Sequence, residues 1–302
     1  MGRRGGSGPA GPDGIAVVDK PAGWTSHDVV AKARGLLGTR KVGHSGTLDP
    51  DATGVLVLGV GRATRLLRFL SGLDKRYIGE VVLGTSTSTL DASGDVIGTW
   101  DMAAVGLDDV RRAARGLTGA IDQVPPMVSA KKVDGRRLHE LARAGVEVER
   151  APVPVQVRGF DVDATAEPGV YALDVTCSAG TYIRSLAADL GTALGGGAHL
   201  RALRRLSVGP YGIDEAVPLE GLAPDRVLPP VEALRGRSAV RVGDDVAALV
   251  GNGRVLEAAA LGIAAPVGEE PCAVLDGQGA LLAVYVPHRG TTLKPAVVVA
   301  PA

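Results

Sequence analysis

One polar, glycine-rich loop carries the side chains best suited to chemistry. Residues 41–54 contain three glycines, one histidine (His44) and two aspartates (Asp49 and Asp51). Glycines allow backbone paths that other residues avoid, and such loops often present functional side chains. Pro50 biases Asp49 towards an extended conformation that projects its carboxylate away from helical packing. Asp49 could act as a nucleophile or base, or could close an Asx turn; His44 could equally bond to its own backbone.

Residues 49–53 also fit the DxDxT pattern of aspartyl-phosphate phosphatases. In those enzymes one Asp attacks phosphorus and the other handles the leaving group. That motif should follow a hydrophobic strand directly, whereas polar residues 43–47 precede it here. The acidic metal-binding motif would have to come from residues 243–245, close to the C-terminus. A dinucleotide fingerprint is weaker still, because Gly59 and Gly61 lack a third glycine and an acidic partner.

Hydrophobic periodicity predicts the elements that must position this loop. An apolar run at residues 14–18 predicts a strand that ends in a turn. Thr25 or Ser26 can cap a helix that runs to about Leu37, where Gly38 stops it. A buried strand is expected immediately after the loop, at residues 55–58. Further strands are predicted at 77–83, 153–162 and 171–177, and further helices at 108–115 and after Gly180-Thr181.

The order of these elements indicates an α+β fold, because strands and helices alternate without a regular βαβ period. Residues 1–13 are predicted to be a flexible tail and residues 14–232 the main domain. Residues 218–237 contain Pro and Gly in an irregular pattern that suggests a linker. Short β-like runs after it predict a small all-β module over residues 238–302.

Composition excludes several classes of protein. Lys plus Arg number 33 and Asp plus Glu number 33, so binding of long nucleic acid mainly by bulk charge is not expected. Cys177 and Cys272 lie far apart, so a disulfide framework and a structural zinc site are not expected. The sequence lacks a run of about 20 apolar residues and a signal peptide. These features predict a cytoplasmic protein without membrane association.

Residues 43–56, GHSGTLDPDATGVL, closely resemble the signature of the bacterial tRNA pseudouridine-55 synthases of the TruB family. The resemblance extends over most of the chain, up to about residue 210. Its other matching segments are residues 19–26, 75–77 with 83–84, 87–95, 125–137, 177–186 and 197–206.

The resemblance implies the activity and the fold. The fold would have a mixed, largely antiparallel central sheet flanked by helices and loops, with a C-terminal module that resembles a PUA domain. The enzyme would break the N-glycosidic bond of uridine 55 in the T arm of tRNA, turn the uracil and rejoin it through C5, without metal or cofactor. Asp49 would be the essential carboxylate and Arg184, at the start of a helix, its cationic partner.

The resemblance also implies residues that bind the substrate. Base flipping costs a few kcal/mol. Stacking of Tyr77 on the extruded uracil would contribute about 1–3 kcal/mol and so offset part of this cost. His44 would fill the gap in the RNA or contact the flipped nucleotide. Tyr182 and Leu203 would line the pocket, although periodicity alone assigns Leu203 to the core. Asp91 would help to order the site.

An insertion at about residues 120–150 would grip the RNA through basic side chains. These are Lys131, Lys132, Arg136, Arg137 and Arg143, on a hairpin or helical lid. The C-terminal module has few Lys or Arg residues, so strong phosphate binding by it is not expected. Between Lys32 and Arg76, nine residues are basic and three acidic, a local excess that suits one folded RNA stem-loop.

Two alternatives stay open on sequence grounds. The chain could bind or fold RNA through the same surface without needing chemistry, or it could be a guide-RNA-dependent synthase with a related catalytic domain. The bacterial-type insertion and the compact C-terminal segment favour a stand-alone enzyme that acts on tRNA as a monomer without a protein partner.

Overall fold

The computed structural model describes residues 11–129, 132–133, 136–137, 148–263 and 270–299. These residues form two compact units. Unit 1 comprises Met1–Pro50, Val55–Ser71 and Pro210–Ala302, and unit 2 comprises Asp51–Gly54 and Gly72–Gly209.

The described strands and helices are as follows. Strands β1 to β10 are Gly14–Lys20, Val42–His44, Thr53–Val60, Lys75–Leu83, Thr85–Thr87, Val96–Thr99, Gly119–Gln123, Lys132–Val133, Arg136–Arg137 and Val153–Ala164. Strands β11 to β19 are Val170–Cys177, Ala198–Val208, Tyr211–Gly212, Val217–Pro218, Ala239–Arg241, Leu256–Glu257, Cys272–Leu275, Leu281–Pro287 and Thr292–Val298. Helices α1 to α4 are Ser26–Leu36, Leu107–Gly116, Ile183–Ala193 and Asp244–Gly251.

Unit 1 packs α1 against strands of the main sheet, in which β1 lies between β14 and β3. Thr25 caps α1 as predicted, in a capping box with Asp28, and the hydrogen bond from the Thr25 side chain lowers the pKa of that carboxyl. Val29, Val30 and Ala33 face the core of the unit. The apolar stripe therefore fixes which side of α1 meets the sheet, and its N-terminal turn is left available for other contacts.

Residues 218–237 do not form the linker that their Pro and Gly content suggests. Leu219 and Leu222 are buried in the core around β1 and α1, and each buried leucine stabilises the fold by about 2 kcal/mol. The backbone of Leu228 exchanges hydrogen bonds with Ile15. The segment consists of short 3₁₀ turns that complete unit 1, so the linker prediction is wrong.

The start of the chain is held in a similar way. The carboxylate of Asp13 accepts hydrogen bonds from the backbone N–H and the Nε of Arg62, each at 2.6 Å. Asp13 therefore has fixed contacts although the sequence places it in a flexible tail. Residues 1–10 of that tail lie outside the described residues.

The C-terminal segment of unit 1 forms the predicted β module. Its five strands have the order β15-β17-β18-β19-β16 and enclose a core of their own. The eight-residue helix α4 also belongs to this module, which the sequence did not predict. Arg62 and Arg65, in the 3₁₀ segment Gly61–Phe69, donate to the carbonyls of Val299 and Val298, both at 2.8 Å.

Unit 2 contains a mixed, largely antiparallel sheet, as the fold prediction requires. The strand order β12-β4-β11-β10-β7 is antiparallel throughout. The first two residues of β3, Thr53 and Gly54, pair in parallel with Arg204 and Arg205. Helix α3 contacts β12 and α2, with Leu186, Ala187 and Leu190 buried at helical spacing.

Gly54 lies where the chain enters β3, and only glycine fits there. Its φ is +102°, and a Cβ atom would stand 2.1 Å from the carbonyl oxygen of Arg205.

We expect Gly54→Ala to lower the free energy of unfolding by about 3 kcal/mol or more, because both backbone strain and steric overlap oppose the added methyl group. Urea unfolding measures the loss. Gly159→Ala in β10 is the control, since nothing lies within 4 Å of the place that its added methyl group would occupy; equal midpoints for the two variants would contradict the prediction.

Candidate active site

The predicted site residues fall on both units. Asp49 and His44 lie in unit 1, whereas Tyr77, Tyr182, Arg184 and Leu203 lie in unit 2. Of the basic residues in the insertion, Lys132 begins β8, and Arg136 and Arg137 form β9, which pairs antiparallel with β8. Lys131 and Arg143 lie outside the described residues.

The segment before Asp49 is anchored by a buried serine. The Ser26 hydroxyl accepts the Leu48 N–H at 2.8 Å and donates to the Leu48 carbonyl at 3.1 Å. Ser26 is the first residue of α1, and both it and Leu48 are buried. The N-terminal turn of α1 thereby fixes the backbone immediately before the carboxylate.

The segment after Asp49 is anchored by a buried lysine. Lys20, at the end of β1, is 0% exposed, and its ammonium donates to the carbonyls of Pro21, Trp24 and Pro50 at 2.8, 2.6 and 2.8 Å. The Gly23 N–H donates to the same Pro50 carbonyl at 3.0 Å. Asp49 is half-buried between two fixed neighbours. These hydrogen bonds fix the backbone on both sides of Asp49.

His44 ends β2 on the same loop. The ring of His27, the second residue of α1, contacts it edge to face, with centroids 5.4 Å apart and an interplanar angle of 85°. The next residue, Ser45, donates its N–H to the carbonyl of Val57 at 3.0 Å. The loop is thus bound to both α1 and β3, so His44 has a defined position.

Arg184 is a buried cation held by several acceptors. It is 3% exposed, and its guanidinium donates to the carbonyls of Thr89 and Val128 at 2.9 and 2.8 Å. The carboxylate of Asp91 lies 3.4 Å from the same guanidinium. Planar guanidinium groups suit this arrangement, because their donors point in several fixed directions.

A strained turn brings two of these acceptors together. Leu90 has a φ of +64°, the one positive value for a non-glycine residue in the described part of the chain. This conformation is costly for leucine, and it lets Thr89 and Asp91 reach the same guanidinium. Asp91 is itself fixed, since its carboxylate accepts from the Thr89 and Ser93 hydroxyls, both at 2.6 Å. Asp91 is thus held by two hydroxyl groups beside the Arg184 guanidinium.

Tyr77 and Leu203 share one face of the unit 2 sheet. Tyr77 on β4 pairs with Arg205 on β12, and Leu203 pairs with Gly79. Side chains two residues apart on a strand point to the same face, and a Leu203 methyl group lies 3.4 Å from where a Cβ of Gly79 would be. Tyr77 is 6% exposed. Tyr77 and Leu203 therefore lie on the same face of neighbouring strands, and little of the Tyr77 ring is exposed.

A large cavity opens on the opposite face of this sheet. Its volume is about 640 Å³, and its lining includes consecutive residues of β4, β11 and β12, among them Ile78, Glu80, Asp174 and Arg204. Ile78 and Glu80 alternate with Tyr77 along β4, and Asp174 and Arg204 pair with Ile78. These four side chains therefore point away from that of Tyr77. Among the predicted site residues only Leu203 is in its lining, so the cavity is not assigned to the substrate.

Tyr182 precedes α3 and lines a smaller cavity of about 130 Å³, together with Gln123 and Val155 among others. The side chain of Gln123 is bonded to the Tyr182 backbone at both its N–H and its carbonyl. Sequence reasoning missed Gln123, as well as the roles of Lys20 and Ser26. Lys20 and Ser26 lie in a segment that the family resemblance includes. Their spacing does not reveal that Lys20 contacts a residue 30 positions away and Ser26 a residue 22 positions away.

Lys75 is a buried lysine beside Tyr77 on the sheet. Burial, and then the charge of Arg205, lower its pKa from 10.5 to about 8. Because the unfolded chain keeps the ordinary lysine pKa, the folded state holds the proton less tightly. The resulting cost is fully present below pH 8 and is relieved as the pH rises from 8 to 10.5.

Lys75→Met is therefore expected to raise the free energy of unfolding by about 2–3 kcal/mol at neutral pH. The advantage over the wild type should shrink as the pH approaches 10.5, where the wild-type lysine is neutral in the folded state and half-neutral in the unfolded one. Denaturant unfolding of both proteins across this range measures the difference. An advantage that does not change with pH would contradict the assigned cause.

The described residues contain neither a metal-binding cluster nor a membrane-spanning helix. No group of three or more His, Cys, Asp or Glu side chains in this part of the chain is arranged to hold a metal ion. None of the helices described above is both long and apolar enough to cross a membrane.

Comparisons with known proteins give a consistent result. Residues 34–183 match the family described as TruB family pseudouridylate synthase (N terminal domain), and residues 184–234 match the tRNA pseudouridylate synthase B C-terminal domain. The chain is similar to tRNA pseudouridine synthase B of Arthrobacter sp. (strain FB24), with 47% identity over 95% of this chain and 97% of that protein. The protein of that name from Streptomyces coelicolor has the same identity and coverage.

Solved structures share the fold. A chain in the crystal structure of a Cbf5-Nop10-Gar1 complex is 25% identical, with a TM-score of 0.74 over 99% of this chain and 92% of that chain. A chain in an H/ACA RNP bound to a substrate RNA containing 2′-deoxyuridine is 24% identical, with a TM-score of 0.71 over 99% and 93%. The second likeness concerns the fold alone.

Proposed function

The chain belongs to the TruB family of pseudouridylate synthases and isomerises uridine to pseudouridine in tRNA; on this premise we propose that its target is uridine 55 in the T arm and that Asp49 is the catalytic carboxylate. The observation that carries the proposal is the anchoring of Asp49 on both sides, by Ser26 at Leu48 and by Lys20 at Pro50. The proposal excludes the phosphatase interpretation of the same residues.

The reaction needs no external group. The bond between N1 of uracil and C1′ of ribose breaks, and a bond between C5 and C1′ forms. The hydrogen on C5 leaves as a proton, and N1 gains one, so atoms and electrons balance without oxidant or reductant. Asp49 would attack the ribose or the base, or remove a ribose proton, and each of these steps requires a fixed carboxylate.

Arg184 is the second proposed catalytic residue. It would supply positive charge at the reacting nucleotide, where negative charge develops as the glycosidic bond breaks. Its support is the preorganised guanidinium, held by Thr89, Val128 and Asp91. A cation fixed before the substrate arrives costs no reorganisation during the reaction.

The remaining site residues would hold the flipped nucleotide. Tyr77 would stack on the uracil and Leu203 would form an apolar wall, which their shared sheet face supports. Tyr182 would line the same pocket. His44 would fill the space that the base leaves or contact the nucleotide, and its packing against His27 favours a fixed ring.

RNA binding and assembly are also proposals. Lys131, Lys132, Arg136 and Arg137 would contact phosphates of the T arm from the insertion, and residues 238–302 would act as a PUA-like module with weak phosphate contacts. The chain would work as a cytoplasmic monomer without cofactor, guide RNA or protein partner. Although the structural relatives come from complexes, the curated relatives are named as tRNA enzymes.

Release of tritium from tRNA labelled at C5 of uridine tests the proposed function. The purified chain should release about one tritium per tRNA transcript from the T arm, with chelator present and no added protein or RNA. A T-arm stem-loop with cytidine at position 55 is the matched control and should release none. Absence of release from the wild-type transcript would refute the activity, and release only after a second protein or RNA is added would refute the stand-alone enzyme.

A further inference from the structure

Gln123, the last residue of β7, binds the backbone of Tyr182 with both ends of its amide. The Gln123 Oε1 accepts the Tyr182 N–H at 2.7 Å, and the Gln123 Nε2 donates to the Tyr182 carbonyl at 3.0 Å. Gln123 is 1% exposed. A buried side chain that satisfies one donor and one acceptor of the same distant residue fixes that residue in position and orientation.

Tyr182 is the residue from which α3 begins. It is the N-cap of the helix, but its side chain makes no capping hydrogen bond. Its carbonyl accepts the first helical hydrogen bond, from the Leu186 N–H at 3.1 Å, in addition to the bond from Gln123. The position of Tyr182 therefore sets where α3 starts, and Arg184 follows in its first turn.

Two further contacts join the start of α3 to the chain that follows β7. The Ser185 hydroxyl donates to the Val124 carbonyl at 2.9 Å, and the Arg184 guanidinium donates to the Val128 carbonyl at 2.8 Å. In these two contacts the side chain belongs to the helix. At Gln123 the side chain belongs to β7, and it binds the backbone of the helix N-cap.

We infer that Gln123 is a positioning residue for the reaction, which sets the register of Tyr182 and hence the place of the Arg184 guanidinium. The inference rests on the catalytic role proposed for Arg184. An amide suits this position, because its oxygen accepts the Tyr182 N–H and its nitrogen donates to the Tyr182 carbonyl at neutral pH.

Gln123→Met keeps the side-chain length and removes both hydrogen bonds, so it is the first test. We expect kcat for pseudouridine formation to fall at least about tenfold, while KM and the Kd for T-arm RNA change by less than about threefold. The control is Gln156→Met on the neighbouring strand β10, a half-buried glutamine whose backbone N–H bonds to the Ser178 hydroxyl, outside α3. Its kcat should stay within about twofold of the wild type. An unchanged kcat in Gln123→Met would overturn the inference.

Gln123→Glu provides a second readout if the methionine variant does not fold. The carboxylate keeps an acceptor but loses the donor, and protonation restores the donor. Its kcat relative to the wild type should therefore rise as the pH falls from about 8 to about 5.5, since burial raises the pKa of a carboxyl group. A ratio that does not depend on pH would contradict the inference.

A double-mutant cycle separates positioning of Arg184 from general damage. In an Arg184→Lys background, Gln123→Met should reduce kcat by less than about threefold, because the group that it positions is already lost. Full multiplication of the two losses would show that Gln123 acts independently of Arg184. If the wild type forms no pseudouridine, the proposed function fails; if the wild type is active and Gln123→Met equals it, only this inference fails.

Discussion

The Asp49→Asn variant is expected to form pseudouridine at least about a thousandfold more slowly than the wild type. Asparagine has nearly the same shape, so the bonds of Ser26 to Leu48 and of Lys20 to Pro50 should persist. The variant loses only the negative charge and the basic or nucleophilic oxygen. Tritium release under single-turnover conditions measures the loss, and filter binding of T-arm RNA should show a Kd within about threefold of the wild type.

Asp51→Asn is the matched control, because Asp51 is an exposed carboxylate in the same loop. We expect this change to alter the rate by less than about twofold. The two aspartates also discriminate between functions, since a phosphatase of the DxDxT type would need both. Equal loss in the two variants would contradict the role assigned to Asp49, as would turnover by Asp49→Asn at the wild-type rate.

Arg184→Lys is expected to reduce kcat about a hundredfold with little change in the Kd for RNA. The guanidinium meets the carbonyls of Thr89 and Val128 and the carboxylate of Asp91 in three directions. A lysine ammonium is a compact charge on a flexible stem, so it cannot reproduce this arrangement at one fixed place. A kcat within about threefold of the wild type would show that only the charge is needed.

Arg201→Lys is the control for this substitution. Arg201 lies on β12 in unit 2 and forms ion pairs with Glu80 and Glu167, at 2.9 and 2.5 Å, on the surface. Exposed pairs of this kind are worth about 0–1 kcal/mol, so the kcat of Arg201→Lys should remain close to that of the wild type. A comparable loss in both variants would point to general sensitivity of unit 2 instead of a catalytic role for Arg184.

The elements that the sequence predicted correctly are those with strong local signals. Helix α1 begins at the predicted cap because Thr25 and Asp28 form a capping box, and β3 follows the Asp49 loop as expected. The start of α3 places Arg184 in its first turn, as the helical pattern indicated. Such signals come from residues at most about four positions apart, which local periodicity records directly.

The contacts that hold the candidate site depend on distances that periodicity does not record. Lys20 meets Pro50 across 30 residues, and Gln123 meets Tyr182 across 59. A buried lysine or glutamine looks like any polar residue in a sequence, because its partners are backbone atoms without a sequence signature. The motifs therefore identified Asp49, Arg184 and Asp91 as candidates, but not the holding contacts of Lys20, Ser26 and Gln123.

Composition misled where turn-forming residues surround leucines that are packed into the core. Residues 218–237 look irregular, yet Leu219 and Leu222 are buried with α1. The equal numbers of acidic and basic residues argue only against binding of long nucleic acid by bulk charge. They do not argue against recognition of one folded RNA. A protein that recognises one folded stem-loop by shape needs only a local excess of basic residues, such as that between Lys32 and Arg76.

Mapping of pseudouridine in an unmodified tRNA transcript tests the central claim most directly. The purified chain, incubated with the full transcript and chelator but without other protein or RNA, should produce pseudouridine at position 55 and at no other uridine. The Asp49→Asn variant, run in parallel, should leave the same transcript unmodified. Modification at a different uridine, no modification by the wild type, or undiminished modification by Asp49→Asn would contradict the account.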